Sequence, residues 1–224
     1  MDQKELGDSI ARQLDSIVDI ANWILFLALV FFWAGFSKQD HPINVLGLQV
    51  DRSHAFFVAC TLYLAANFLL LILFRRIADL LLLVDDENLL VAVTKLITHK
   101  WAANPFAFFG DRWGAKLHAS CGFALLVLVW SLGNASLYAL AGPVFRHTIV
   151  FKSSQILFLL MGIACISAWQ RALQIILDRL ERSSPKLQQD LKVTEAWRWR
   201  FAYIGIFLGA VTVLVVNLKQ IDAA

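Results

Sequence analysis

AFFVACTLYLAANFLLLILF, residues 55–74, runs for twenty positions without an Asp, Glu, Lys, Arg, Gly or Pro. A helix rises about 1.5 Å per residue and the hydrocarbon core of a bilayer is about 30 Å thick, so a run of this length matches one crossing. Arg75 and Arg76 close the run. Beyond them come Ile77, Leu80, Leu81 and Val84, again with no Gly or Pro between. That spacing puts one apolar stripe on a continuing helix, so the stretch reads as a span that leaves the membrane as an amphipathic rod.

The same ruler, moved outward, finds uncharged runs at about 20–36, 117–141, 154–169 and 201–218. The run at 154–169 is the shortest, but Thr148, Ile149, Val150 and Phe151 extend it upstream past Lys152, whose long stem can reach the interface. It also continues into a second stripe, Leu173, Ile176, Leu177 and Leu180, after Gln170 and Arg171. The expectation is an all-α polytopic membrane helix bundle forming one domain over residues 1–224. It has about five transmembrane helices, an N-terminal cytoplasmic amphipathic helix over 1–19, and amphipathic cytoplasmic extensions of the second and fourth spans.

Composition agrees with a membrane class. Of 224 residues, 59% are hydrophobic and 17% charged, where ordinary globular domains carry about 25% charged residues. The N-terminus, MDQKELGDSIARQLDSIVDI, is long, polar and net acidic, unlike the basic start of a secretory signal. Basic residues orient the chain. With the N-terminus inside, fifteen Lys and Arg fall on the cytoplasmic side and five outside, as the positive-inside tendency requires. The expected protein sits in a plasma or bacterial inner membrane, N-terminus cytoplasmic and C-terminus outside. Trp23, Trp33, Trp113, Trp169, Trp197 and Trp199 lie near span ends, where amphipathic rings settle, whereas Trp130 is mid-span.

Between the second and third spans, LLVAVTKLITHKW repeats its apolar residues at helical spacing, with Asp85, Asp86 and Glu87 placed to favour the helix start near Asn88. Asn104-Pro105 and Ser184-Pro185 are helix-start signals. The first introduces Phe106, Phe108 and Phe109, expected to lie flat in the inner interface; the second leads a helix into the fifth span. The order of span, outer loop, span and cytoplasmic helix occurs twice, which raises a weak tandem repeat of two hairpins.

No Asp, Glu, Lys or Arg lies inside a span, which argues against proton pumps and many ion-coupled transporters. The polar residues within the spans are Asn22, Asn67, Ser131, Asn134, Thr212 and Asn217. Facing lipid, their side chains would go unsatisfied, so they are expected to serve as interhelical packing contacts or to line a pore. Gly205 and Gly209 form a GxxxG pair, a helix-packing face. Five histidines lie in loops or at span ends, away from the buried positions that haem ligation needs, and the three cysteines show no metal or disulfide spacing. No GxSxG, HExxH or Gly-rich phosphate loop is present. No catalytic residue, cofactor, metal or nucleic-acid partner is therefore expected.

The function that follows is non-enzymatic and works by assembly. The leading reading is an oligomeric channel or pore, gated or docked through the cytoplasmic stripes Ile77, Leu80, Leu81, Val84, Leu173, Ile176, Leu177 and Leu180. An accessory or anchoring subunit of a larger membrane complex is the alternative, and a lipid- or quinone-modifying enzyme the third. Expected partners are the lipid bilayer and either a second copy or another membrane protein.

Overall fold

The computed structural model describes residues 3–35, 43–45, 48–99, 104–106, 113–141 and 145–221, with only the backbone at some positions, mostly in the fourth and last long helices. The molecule is nearly all helical. In chain order it comprises α1 (Gln3–Gly35), a two-stranded antiparallel hairpin of β1 (Ile43–Val45) and β2 (Leu48–Val50), and α2 (Arg52–Leu83). Then follow α3 (Asp86–Ile97), α4 (Trp113–Leu140), a short 3-10 turn (Phe145–His147), α5 (Ile149–Ser183) and α6 (Pro185–Ile221). Among the described residues, α1, α2 and α5 are each long and apolar enough to cross a membrane. At about 1.5 Å per residue the 32 residues of α2 reach roughly 48 Å, well beyond a hydrocarbon core of about 30 Å.

Local chemistry sets several boundaries. Thr148 caps α5, its hydroxyl accepting from the Phe151 amide at 3.3 Å. Pro185 opens α6, where its missing N–H costs nothing. Asp86 and Glu87 occupy the first turn of α3.

Neighbours in the bundle run α5, α2, α1, α4, α6, and α5 and α6 meet again near Ser184, where the chain passes from one to the other. Two cores result. At the end that carries α3, Leu6, Ile10, Leu14 and Ile17 of α1 pack with Ile77, Leu81 and Val84, with Leu89, Val93 and Leu96 of α3, with Leu173, Ile176 and Leu180 of α5, and with Leu191 of α6. At the hairpin end, Phe31, Phe56, Tyr63, Leu137, Phe151 and Phe158 form a second, aromatic-rich core.

Four sequence expectations change. The N-terminal amphipathic segment is not a separate helix, because no breaker separates it from the first apolar run and α1 continues through both. The loop between the first two apolar runs contains the hairpin, which Pro42 and Gly47 hide from a ruler made for apolar runs. Phe106 is not flat at a surface: it is 1% exposed and packs on Phe74 with ring centroids 6.3 Å apart. Asn104 puts it there, its amide donating to the Leu96 carbonyl at 2.7 Å while its side-chain oxygen accepts from the Phe106 amide at 2.9 Å. Phe108 and Phe109 lie outside the described residues. Finally, the backbones of α1 and α2 pack closely whereas α4 meets α5 through large aromatic side chains such as Trp130 on Phe158, so the two hairpins of the proposed repeat are not packed alike.

Candidate functional site: an apolar cavity at the centre of the bundle

The five long helices leave a cavity of about 180 Å³ between the two cores, lined almost wholly by apolar atoms. α1 supplies Ile17 and Ala21, α2 supplies Asn67, Leu70 and Phe74, and α4 supplies Val127 and Trp130. α5 adds Gly162, Cys165, Ile166 and Trp169, and α6 adds Trp199 and Ile206.

Trp130 is the wall between the cavity and the aromatic core. Its ring stacks on Phe158 at 5.2 Å and 11°. It also lies so close to α5 that a Cβ on Gly162 would sit 2.4 Å from its Cζ2 atom, which explains a glycine in the middle of an apolar helix. The Trp130 indole nitrogen is buried and has no hydrogen-bond partner among the described residues. Toward the hairpin end the space is filled. Tyr63 is 0% exposed, meets the rings of Phe31 and Phe158, and its hydroxyl lies 3.0 Å from that of Ser136.

Asn67 is the one amide among the described residues that line the cavity. Its NH₂ donates back to the Tyr63 carbonyl at 2.7 Å, and its own backbone oxygen accepts from the Cys165 thiol at 3.2 Å, tying α2 to α5. Of the other polar positions, Asn22 is exposed, in a surface groove with Asp19, Trp23 and Phe26. Ser131 donates to Val127 within its own helix, and the side-chain oxygen of Asn134 is buried without a partner among the described residues. The structure therefore does not gather Asn22, Asn67, Ser131 and Asn134 into one lining. Thr212 and Asn217 belong to the α6 backbone, but their side chains lie outside the described residues, as do the surroundings of Gly205 and Gly209.

The two stripes are found together. Ile77, Leu81, Val84, Leu173, Ile176, Leu177 and Leu180 are buried, and Leu80 partly so, in the core at the α3 end. What covers them is this chain: α1 and α3 supply the opposing faces. Polar contacts fasten the same end. Arg179 donates from Nη1 to the Leu81 carbonyl at 2.6 Å and from Nε and Nη2 to the Asp86 carboxylate, so one guanidinium holds the α2–α3 turn against α5. Lys95 donates to Asp8 at 2.6 Å and His99 lies 2.9 Å from Asp15, joining α3 to α1. Around this end Leu82, Leu83, Leu90 and Val91 remain exposed. Among the described residues, no cluster of His, Cys, Asp and Glu is arranged to hold a metal ion.

The cavity and Trp130's role were signalled in the sequence only by a tryptophan in mid-span; nothing in the spacing showed that Gly162 faces it. No protein-family model matches the chain, and no curated protein or solved structure shows significant similarity to it.

Proposed function

We propose that this chain is a non-enzymatic five-span membrane protein, N-terminus cytoplasmic and C-terminus outside, that serves as an accessory or anchoring subunit of a larger membrane assembly. The block at the α3 end is its cytoplasmic part. One observation carries the reading: after the stripes are buried within the chain, Leu82, Leu83, Leu90 and Val91 still stand out at the corner between α2 and α3, each about half exposed or more. They flank the acidic run Asp85, Asp86 and Glu87. Large apolar side chains grouped outside the spans mark an interaction site, here for a partner with an apolar, basic-rimmed surface.

The oligomeric channel is the second reading, and Asn22 favours it. An exposed amide beside Asp19 on the outer face of α1 would find partners if α1 lined a path between copies.

A photo-crosslinking residue at Leu90 or Val91, with the mass of the native assembly measured in nanodiscs, separates the two. The subunit reading expects a single copy, a defined cross-linked partner, loss of that partner in Leu90→Glu/Val91→Glu, and no ion conductance in liposomes. A conducting homo-oligomer overturns it. Reporter fusions after Asn88, Pro185 and Ala224 test the five spans: the first two should report cytoplasm and the third the outside, and a cytoplasmic third removes a span.

A further inference from the structure

We infer that the central cavity is a binding site for one acyl chain of a bilayer lipid, entered sideways between α5 and α6. The inference rests on the membrane placement of those two helices proposed above. The cavity's size, wall and doorway all point to this occupant. At about 180 Å³ it is comparable to the cavity of about 150 Å³ that stays dry and takes benzene when lined by Leu, Ile and Phe side chains. It holds a segment of hydrocarbon and not a whole lipid, so the remainder of the molecule must stay outside.

The structure shows where that remainder would lie. α6 follows α4 closely but meets α5 sparsely. Their contact is at the α3 end, where Gln188 donates to the Leu177 carbonyl at 3.1 Å and the rings of Trp169 and Trp199 come within 6.3 Å. Farther along, Ile166 on α5 and Ile206 on α6 both line the cavity and are both exposed on the outside of the bundle, at 38% and 51%. A residue that faces both the cavity and the bilayer marks the doorway. The hydrocarbon there is lipid, present at concentrations no dissolved ligand matches.

Polar groups at the wall restrict what can enter. Asn67 has its amide committed to Tyr63, and Cys165 has its thiol committed to Asn67. The Trp130 indole N–H stands buried in this wall without a hydrogen-bond partner among the described residues. A saturated segment fits the remainder of the lining, and a chain bearing an oxygen acceptor near the indole gains one hydrogen bond more.

The test uses full-length protein in nanodiscs containing phosphatidylcholine with a diazirine on one acyl chain, and, in a parallel sample, a free fatty acid carrying the same diazirine. After irradiation, peptides are sequenced by mass spectrometry. The expected result is saturable labelling by the phospholipid probe of the segments around Trp130 and Cys165–Trp169. Ala21→Phe, which fills the cavity from α1, should reduce it about tenfold, the equivalent of ~1.4 kcal/mol of chain binding. Ile206→Trp, on the exposed rim and outside both cores, should reduce it without disturbing the fold, so a failure of Ala21→Phe to fold leaves the test intact. Labelling confined to outward residues such as Leu159 and Phe207, or unchanged in both variants, overturns the site. Labelling by the free acid alone overturns the bilayer lipid as its source. The fusion reporters above are read on the same variants, so loss of labelling in a correctly inserted protein counts against the cavity and not against the topology.

Discussion

Trp130 and Gly162 are each the condition of the other's position. The indole occupies the volume that a side chain at 162 would take, and it is held there by stacking on Phe158. Gly162→Ala therefore has no cheap outcome, because the atoms it meets belong to a stacked ring and not to the loose end of a flexible chain. The expected cost is about 1–3 kcal/mol, the range for overpacking a filled interior, read as a lowered unfolding temperature in detergent. Trp130→Phe combined with Gly162→Ala should recover part of that loss; simple addition of the two costs would show that they do not share the space. Residue by residue, the sequence was a partial guide. It marked Asn67 and Trp130 as out of place in an apolar run, but which way a side chain turns on a uniformly apolar helix leaves little trace in its spacing.

Elements were easier to read than residues. Each apolar run falls on a helix that is longer than the run, and the Ser184-Pro185 start and the helical continuation of α2 and α5 past their arginines are present, since length and the absence of breakers decide them. The stripes were legible as faces in need of burial. Their cover was not, because pairing α1, α2, α3 and α5 depends on turns such as Val84–Asp85 and not on periodicity. Arg179 makes that pairing specific. Replacing it with Met keeps most of the stem's packing but leaves the Leu81 carbonyl and Asp86 without the guanidinium, so the turn between α2 and α3 should exchange amide hydrogen faster while α4 is unchanged. Lys at this position should restore little, as an ammonium lacks the planar fork that reaches both acceptors. Equal exchange in wild type and Arg179→Met would remove the clamp from the account.

For the whole molecule, acid is the informative stress. Lys95, by its hydrogen bond and then by its charge, holds the Asp8 carboxyl below the usual carboxylate range. A carboxylate whose value is lowered by folding contributes at pH above the unfolded value of about 4 and loses that contribution as pH falls through the folded one. Wild type should thus lose some thermal stability on going from neutral pH to below pH 4 that Asp8→Asn, already without it, does not lose. Parallel pH profiles for the two would overturn the link. High salt should narrow the gap between them, because both partners are partly exposed. The α3-end core that this pair helps close also has an unusual order of assembly. It takes Leu6, Ile10, Leu14 and Ile17 from the start of the chain and Leu191 from near its end. A ribosome adding about 5–20 residues per second needs roughly ten to thirty seconds to get from Ile17 to Leu191. Within that interval the apolar face of α1 gains its cover in order, from α2 and α3 first, then from α5, and from Leu191 last. Assembly of this core is therefore stepwise, and a truncation before Leu191 should leave it short only of the side chain made last.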